Sequence, residues 1–138
     1  EIMVIDDYGH HPAEVRATLA GARTGFPGRR VIVAFQPHRY TRTRDLLDEF
    51  SRAFDAADIV IIADIYPAGE SPIPNVSSAV LVERIRAHGH HAVRHVADRA
   101  KLASEICNLV LPGDIVITLG AGDISQTGPE LLSLLATH

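Results

Sequence analysis

The stretch VIDDYGHHPAEVR, close to the start of the sequence, brings together several residue types that are capable of chemistry. Asp6 and Asp7 follow an apolar run that reads as a strand, so their side chains point to opposite sides and only one of them can line a given pocket. Tyr8 offers an aromatic face or a hydroxyl group. His10 or His11 could orient a substrate or transfer a proton near neutral pH, and each has the alternative of capping or packing against a helix. The stretch predicts one side of a ligand site.

A cationic cluster follows the second apolar run, in the stretch VIVAFQPHRYTRTR. It consists of His38, Arg39, Arg42 and Arg44. A helix is predicted to begin near Thr43, and guanidinium groups beside a helix amino terminus can together hold an anion. For Arg44 the alternative is an ion pair with Asp48, four residues further along the same helix. The cluster predicts a ligand that carries a carboxylate or a phosphate.

The composition favours a local anion site over wholesale binding to nucleic acid. The chain has 138 residues, 46% of them hydrophobic, and a formal net charge of −4. Seven of its 13 Lys and Arg residues nevertheless fall between Arg16 and Arg44, so the cations are concentrated in one region. Cys107 is the only cysteine, which excludes a disulfide within the chain and favours a reducing compartment. No apolar run approaches the roughly 18 residues of a membrane span, and a soluble cytoplasmic protein is expected.

Two further motifs are weaker. The stretch HGHHAVRH, residues 88–95, has no cysteine partner and lies at the opposite strand end from the other clusters, so we expect no metal site there. The stretch GAGDI lacks the later glycine of a dinucleotide fingerprint, and a tight turn before a helix capped by Asp123 or Ser125 explains it equally well. The sequence has no phosphate loop and no nucleophile elbow. The chain alone is therefore expected to lack a complete catalytic apparatus.

The elements that must position these groups alternate between strands and helices. Apolar runs rich in β-branched residues indicate strands at 2–5, 31–35, 59–63, 92–96 and 115–119. Helical spacing of apolar residues predicts helices that begin at Pro12 and near Thr43, and others at about 77–88, 98–109 and 124–136. This alternation predicts a Rossmann-like open, mostly parallel α/β sheet of about six strands, with helices on both faces.

Each conspicuous polar cluster comes directly after one of these strands. DDYGHHP follows the first, QPHRYTRTR the second, DIYPAGE the third and GAGDIS the last. The carboxyl ends of parallel strands lie at one edge of a sheet, where open α/β folds bind their ligands. Four separate segments are therefore expected to line a single rim.

The motifs DDYGHHPAEV, FQPHRYTRT, DIYPAGE and LGAGDI occur in this order and resemble those of the carboxyl-terminal domain of the Mur ligase family, the amide-forming ligases of peptidoglycan synthesis. The resemblance covers essentially the whole chain. It implies a domain that closes over a site shared with two others, one for the UDP-sugar and one that carries the ATP phosphate loop and the magnesium ligands. Because the sequence begins inside a predicted strand, we expect residues 1–138 to be one domain excised from such a three-domain enzyme.

Within the family, FQPHRYTRT favours the members that join L-alanine to UDP-N-acetylmuramate. In the reaction that the resemblance implies, ATP phosphorylates the muramoyl carboxylate, and the alanine amine attacks the acyl phosphate. The resemblance places Asp7 on the ATP ribose and Tyr8 and His10 beside the reacting centre as catalytic residues. It assigns the incoming amino acid, chiefly its carboxylate, to His38, Arg39 and Arg42. His11, Tyr66, Glu70 and Asp123 lie in the motifs without an individual role.

Two alternatives remain open at the level of sequence. The recycling ligases that attach a tripeptide to the same sugar share a similar HHP motif. A response-regulator receiver domain, from a different class, also places acids after its first and third strands, as Asp6, Asp7 and Asp64 are placed here. A receiver would need a lysine after its last strand, whereas Lys101 is the only lysine in this chain.

Overall fold

A computed structural model describes residues 1–137, and within them a single sheet contains five strands, all parallel. The strands are β1 (Met3–Asp7), β2 (Val31–Phe35), β3 (Ile59–Ala63), β4 (Val93–Val96) and β5 (Ile115–Leu119). The predicted Rossmann-like parallel α/β architecture is confirmed. The count of about six strands is one too many, because residues 1–137 add to these five strands only one isolated bridge, between His38 and Tyr66. The domain predicted over 1–138 includes His138, which lies outside the described residues.

The strand order is β1-β5-β2-β3-β4, so the last strand lies between the first two. The first strand of a receiver-type sheet, of order 2-1-3-4-5, lies between the second and third strands. Here β1 is at an edge and pairs with β5, in a register that joins Asp7 to Leu119. The topology therefore excludes the receiver alternative.

Six helices connect or follow the strands in the described part of the chain. They are α1 (Pro12–Gly25), α2 (Tyr40–Asp45), α3 (Leu47–Ser51), α4 (Ser78–Ala87), α5 (Leu102–Leu109) and α6 (Thr127–Ala136). Single 3₁₀ turns at Arg99–Lys101 and Asp123–Gln126 lead into α5 and α6. None of these helices is long and apolar enough to cross a membrane.

The sheet is covered on both faces, which explains why its central strands are apolar throughout. One face packs against α1, α3 and α4, and the buried residues include Leu19, Phe50 and Ile85. The other face packs against α5 and α6 through Ile106 and Leu131. Every residue of β2 and β5 is buried. The carboxyl ends of these strands are therefore held rigidly in the middle of the molecule.

The helix predicted to begin near Thr43 is instead two short helices, α2 starting at Tyr40 and α3 starting after Leu46. Leu46 has φ −114° and ψ 19°, outside the helical range, and this turn redirects the chain. The turn lets Phe50 reach Phe35 on the sheet, with ring centroids 5.3 Å apart. The gain from burying these rings on the sheet outweighs helix continuity, because most helical stability in proteins comes from packing an apolar face.

Two of the clustered cations, Arg23 and Arg30, stabilise the fold through ion pairs at the amino ends of the strands, at the opposite edge of the sheet from the predicted rim. Arg23 Nη2 lies 2.7 Å from Asp58 Oδ2, and the carboxylate also accepts from the backbone N–H of Val31. Together these contacts hold the pKa of Asp58 below its usual value despite partial burial, which acts in the opposite direction. Arg30 binds the buried carboxylate of Asp114 through Nε and Nη2. Part of the local concentration of positive charge is therefore explained by structural ion pairs of Arg23 and Arg30.

The Arg30–Asp114 pair gives a test of these structural ion pairs. Asp114→Ala leaves the guanidinium without its partner and removes an acceptor for the backbone N–H of Leu111. We expect the free energy of unfolding to fall by about 2–3 kcal/mol, as measured by urea denaturation, because the guanidinium that remains is one-third exposed and still bonds to Leu109. The matched control is Asp45→Ala, which breaks the exposed ion pair with Arg44 and should change stability by less than about 1 kcal/mol. Equal effects at the two positions would contradict this account.

Candidate functional site

Four polar segments meet at the carboxyl edge of the sheet, as the sequence predicts, because β1, β2, β3 and β5 are parallel and adjacent. Their backbones are bonded to one another just beyond the strands. The N–H of Gly120 donates to the carbonyl of Asp7 at 3.1 Å, and the N–H of Gln36 donates to the carbonyl of Leu119 at 3.0 Å. The rim is thus a continuation of the sheet rather than a set of independent loops.

Asp6 and Asp7 point to opposite sides, as expected from strand geometry. Asp6 accepts a hydrogen bond from the hydroxyl of Thr118 at 2.6 Å. Asp7 accepts from the backbone N–H of Gly9 at 2.7 Å and from the hydroxyl of Thr18 at 3.1 Å. Gly9 suits this close approach, since a Cβ would lie 3.2 Å from the Asp7 carboxylate and the neighbouring side chains would have to shift. Asp7 therefore shapes the turn on which the following residues are displayed.

The two neighbouring histidines have different surroundings. His11 is the N-cap of α1, where its Nδ1 accepts from the backbone N–H of Ala13 at 3.2 Å. Glu14 completes a capping box by accepting from the N–H groups of His10 and His11, and these bonds lower its pKa. His10 is left facing the rim, beside Tyr8, whose side chain is 70% exposed. His11 is therefore a structural cap, and His10 is the histidine available to a ligand.

Hydrogen bonds define the tautomers of the two imidazoles on the rim. Nδ1 of His10 is 3.2 Å from the carbonyl of Tyr8, which can only accept, so the neutral ring carries its proton on Nδ1 and keeps a lone pair on Nε2. Nδ1 of His38 is 3.2 Å from Nη1 of Arg42, which can only donate, so its neutral ring carries the proton on Nε2. With ring centroids 6.1 Å apart, the pair offers one acceptor and one donor.

His38 is held in its neutral form. Burial lowers its pKa, and the positive charges of Arg42 and Arg39 and the nearby His10 lower it further, while Glu70 acts weakly in the opposite direction. Arg42 also donates to the backbone carbonyl of His38 at 3.3 Å. A neutral imidazole beside guanidinium groups provides a directional donor without adding to the positive charge of the rim.

Arg39 has a backbone conformation that side-chain-bearing residues seldom adopt, with φ 74° and ψ 141°. Hydrogen bonds pin both of its peptide groups. Its N–H donates to the carbonyl of Tyr66 at 2.8 Å, and its carbonyl accepts from the hydroxyl of Thr43 at 2.8 Å. Such strain persists only where the surroundings impose it, and it clusters at functional sites. The side chain of Arg39 is exposed on the rim.

A carboxylate of this chain is bound at the amino terminus of α2, where the sequence predicts an anion site. Glu70 accepts from the backbone N–H of Thr41 at 3.0 Å and from its hydroxyl at 2.5 Å. These bonds hold the pKa of Glu70 below its usual value, with the charge of Arg39 as a smaller cause. The cationic side chains of Arg39 and Arg42 and the imidazole of His38 lie beside this carboxylate on the rim.

Gln36 is a residue of the site that sequence reasoning missed. Its buried side chain donates from Nε2 to Asp123 at 2.7 Å and accepts at Oε1 from the N–H of Ile124 at 3.2 Å. The expected cap by Asp123 or Ser125 is wrong, since no side chain caps this 3₁₀ turn at its N-cap, Gly122. An amide following a buried strand was the available signal, because a buried amide must find partners.

The other histidines are distributed over separate contacts. His88 approaches Asp48 at 3.4 Å, His90 Nε2 lies 2.7 Å from the carbonyl of Ala57, and His95 lies 2.6 Å from Asp64. Within residues 1–137, no three His, Cys, Asp or Glu side chains converge as a metal site would require.

An open parallel sheet with a rim of cationic and imidazole side chains defines a Rossmann-like ligand-binding domain. A sequence profile of the family described as "Mur ligase, glutamate ligase domain" matches residues 1–122. The chain belongs to this family of Mur ligase carboxyl-terminal domains.

The relatives identify the branch of the family to which the chain is similar. A UDP-N-acetylmuramate–L-alanine ligase of Sorangium cellulosum is 58% identical over 90% of this chain, and one of an Anaeromyxobacter species is 61% identical over 97%. The crystal structure of the corresponding Thermotoga maritima ligase superposes with a TM-score of 0.80 and 26% identity, covering 99% of this chain and 27% of that one. The chain spans only 27% and 29% of the length of the two sequence relatives.

The strain at Arg39 leads to an unusual stability prediction. Arg39→Gly relieves the positive φ, whereas Arg39→Ala keeps it, so we expect the glycine variant to be more stable by about 1 kcal/mol or more. The control is position 44, inside α2, where Arg44→Gly should be less stable than Arg44→Ala by about 1 kcal/mol. Urea unfolding of the four variants measures both differences. The same order at both positions would show that Arg39 is not strained.

Proposed function

We propose that this chain is the carboxyl-terminal domain of an ATP-dependent ligase that joins L-alanine to UDP-N-acetylmuramate in peptidoglycan synthesis. The observation that carries the proposal is the cationic rim of His38, Arg39 and Arg42 in a chain whose relatives bear the name of that enzyme. A carboxylate-bearing amino acid is the kind of ligand that such a rim suits.

In this proposal the cationic rim binds the incoming amino acid by its carboxylate. The guanidinium groups of Arg39 and Arg42 supply charge-assisted hydrogen bonds, and Nε2–H of His38 supplies a neutral, directional one. Because Arg42 also bonds His38, the two groups are oriented together. Glu70 at the start of α2 occupies the backbone N–H of Thr41, so in this proposal the side chains make the main contacts with the ligand.

His10 and Tyr8 are proposed to lie beside the reacting centre. The amino-acid nitrogen attacks the carbonyl carbon of the muramoyl phosphate, the new C–N bond forms, and the C–O bond to phosphate breaks. The attacking amine must lose a proton, and the lone pair on Nε2 of neutral His10 can accept it. Tyr8 is exposed on the same turn, where its hydroxyl is available to the same intermediate.

Asp7 is proposed to contact the ribose of ATP. Its carboxylate accepts from Gly9 and Thr18, and a carboxylate has about four acceptor positions, so it can still accept from a ribose hydroxyl. The phosphate loop and the magnesium ligands are proposed to lie in other domains of the enzyme, as is the site for the UDP-sugar. We place the enzyme in the cytoplasm, where ATP is available.

The test uses the full-length enzyme of which this chain is proposed to be a part, and measures ADP release with UDP-N-acetylmuramate in the presence and absence of L-alanine. We expect release to require L-alanine. Release that needs a tripeptide instead would identify a recycling ligase, and release that needs neither would contradict the proposal.

The rim is tested in the same assay. Arg39→Ala and Arg39→Gly both remove the guanidinium group, so each should raise the KM for L-alanine by about tenfold or more, with a smaller change in kcat. The two variants should agree in KM although they differ in stability. Arg44→Ala, which breaks only an exposed pair with Asp45, should behave as wild type. An unchanged KM in both Arg39 variants would remove Arg39 from the amino-acid site.

The 138-residue chain by itself is expected to fold, because each helix covers its own part of the sheet, and to form no ADP from ATP under the same conditions. Circular dichroism of the purified chain tests whether it folds, and an ADP assay tests whether it forms ADP. ADP formation by this chain alone would show that the catalytic apparatus is not divided between domains as proposed.

A further inference from the structure

The aromatic ring of Tyr66 contacts two other segments of the rim, the one after β2 and the one after β5. On one side it stacks on the imidazole of His38, with ring centroids 5.5 Å apart and planes inclined by 12°. It also packs against the turn after β5, where a Cβ on Gly122 would lie 2.6 Å from Cγ of Tyr66. The backbone at Gly122 therefore restricts the Tyr66 ring, and the Tyr66 ring in turn restricts the side chain of His38.

The backbone fixes the relative position of Tyr66 and His38. The N–H of Tyr66 donates to the carbonyl of Pro37 at 2.8 Å, and its carbonyl accepts from the N–H of Arg39 at 2.8 Å. These bonds form a parallel bridge that places the two side chains next to each other. Arg39, which takes part in the same bridge through its N–H, has a strained positive φ, and such strain persists only where the surroundings impose it.

We propose that Tyr66 is a positioning residue, whose ring fixes the orientation in which His38 presents Nε2–H to the ligand. The ring, and not the hydroxyl, has this role, because stacking and the contact with Gly122 both involve ring atoms. That the ligand is an amino acid rests on the proposed function, whereas the orientation of His38 by Tyr66 does not.

The charged and titratable groups around His38 come from three directions. Arg39 and Arg42 belong to the segment that follows β2, His10 to the turn after β1, and Glu70 to the loop after β3. Burial is the largest cause of the lowered pKa of His38. The Tyr66 ring covers one face of the imidazole, so removing it admits water to that face.

The first experiment measures His38 by NMR in the 138-residue chain, with no ligand present. In Tyr66→Leu we expect the ring-current shift of the His38 protons to be lost and the pKa of His38 to rise towards its ordinary value of about 6.5. Tyr66→Phe should preserve both quantities. The control is Tyr40→Leu, which removes a tyrosine from a separate small cavity lined by Asp64 and Ser77 and should leave His38 unchanged.

The second experiment measures the proposed consequence in the full-length enzyme. Tyr66→Leu should raise the KM for the amino acid by about five- to tenfold with a smaller fall in kcat, and Tyr66→Phe should match wild type. A residue that merely stabilised the loop would instead lower the amount of active enzyme and leave KM unchanged. If Tyr66→Leu does not fold, Tyr66→Met, which keeps most of the volume without a ring, takes its place.

The outcomes separate this inference from the proposed function. Unchanged His38 shifts and pKa in Tyr66→Leu would overturn the inference, as would a Tyr66→Phe variant that behaves like Tyr66→Leu. If His38 responds as expected but the wild-type enzyme shows no dependence on L-alanine, the positioning role stands and the proposed function fails.

Discussion

The rim depends on one parallel bridge formed beyond the end of the sheet, where the backbone of Tyr66 bonds to that of Pro37 and Arg39. The bridge extends the alignment of β2 and β3 into the loops that follow them. Arg39, whose N–H bonds to Tyr66 in this bridge, has a positive φ, and Glu70 binds the start of α2 beside it. Irregular loops seldom hold side chains this firmly, and the bridge gives these loops the rigidity of strands.

The electrostatic properties of the site depend on which of its charged groups bind other residues of the chain and which are exposed on the rim. Glu70 places a negative charge at the amino terminus of α2 and binds the N–H and hydroxyl of Thr41, so that terminus is less attractive to an incoming anion. Arg42 orients His38, burial and the neighbouring positive charges lower the pKa of His38, and the exposed Arg39 carries charge at the edge. Attraction for an anion thus comes from a few side chains that form directional hydrogen bonds. Such side chains select an anion by its shape and orientation more than by its net charge.

Sequence reasoning predicted what depends on local pattern and missed what depends on distant contacts. Each apolar run became a strand, and the polar clusters that follow four of these strands do form one rim. The break at Leu46 was missed because it serves the packing of Phe50 on Phe35 across the sheet. The role of Glu70 was missed because its partner, Thr41, is 29 residues away, and Gln36 because its partners are 87 and 88 residues away.

The position of β5 has a consequence for how the chain is made. Within the described residues β1 pairs only with β5, so β1 has no neighbour in the sheet until β5 has been synthesised. The pairing joins Asp6 to Thr118, a separation of 112 residues, and such long-range contacts form slowly. A nascent or truncated chain would therefore expose an unpaired β1 and the gap beside β2. The centre of the sheet can therefore form only after β5 has been synthesised.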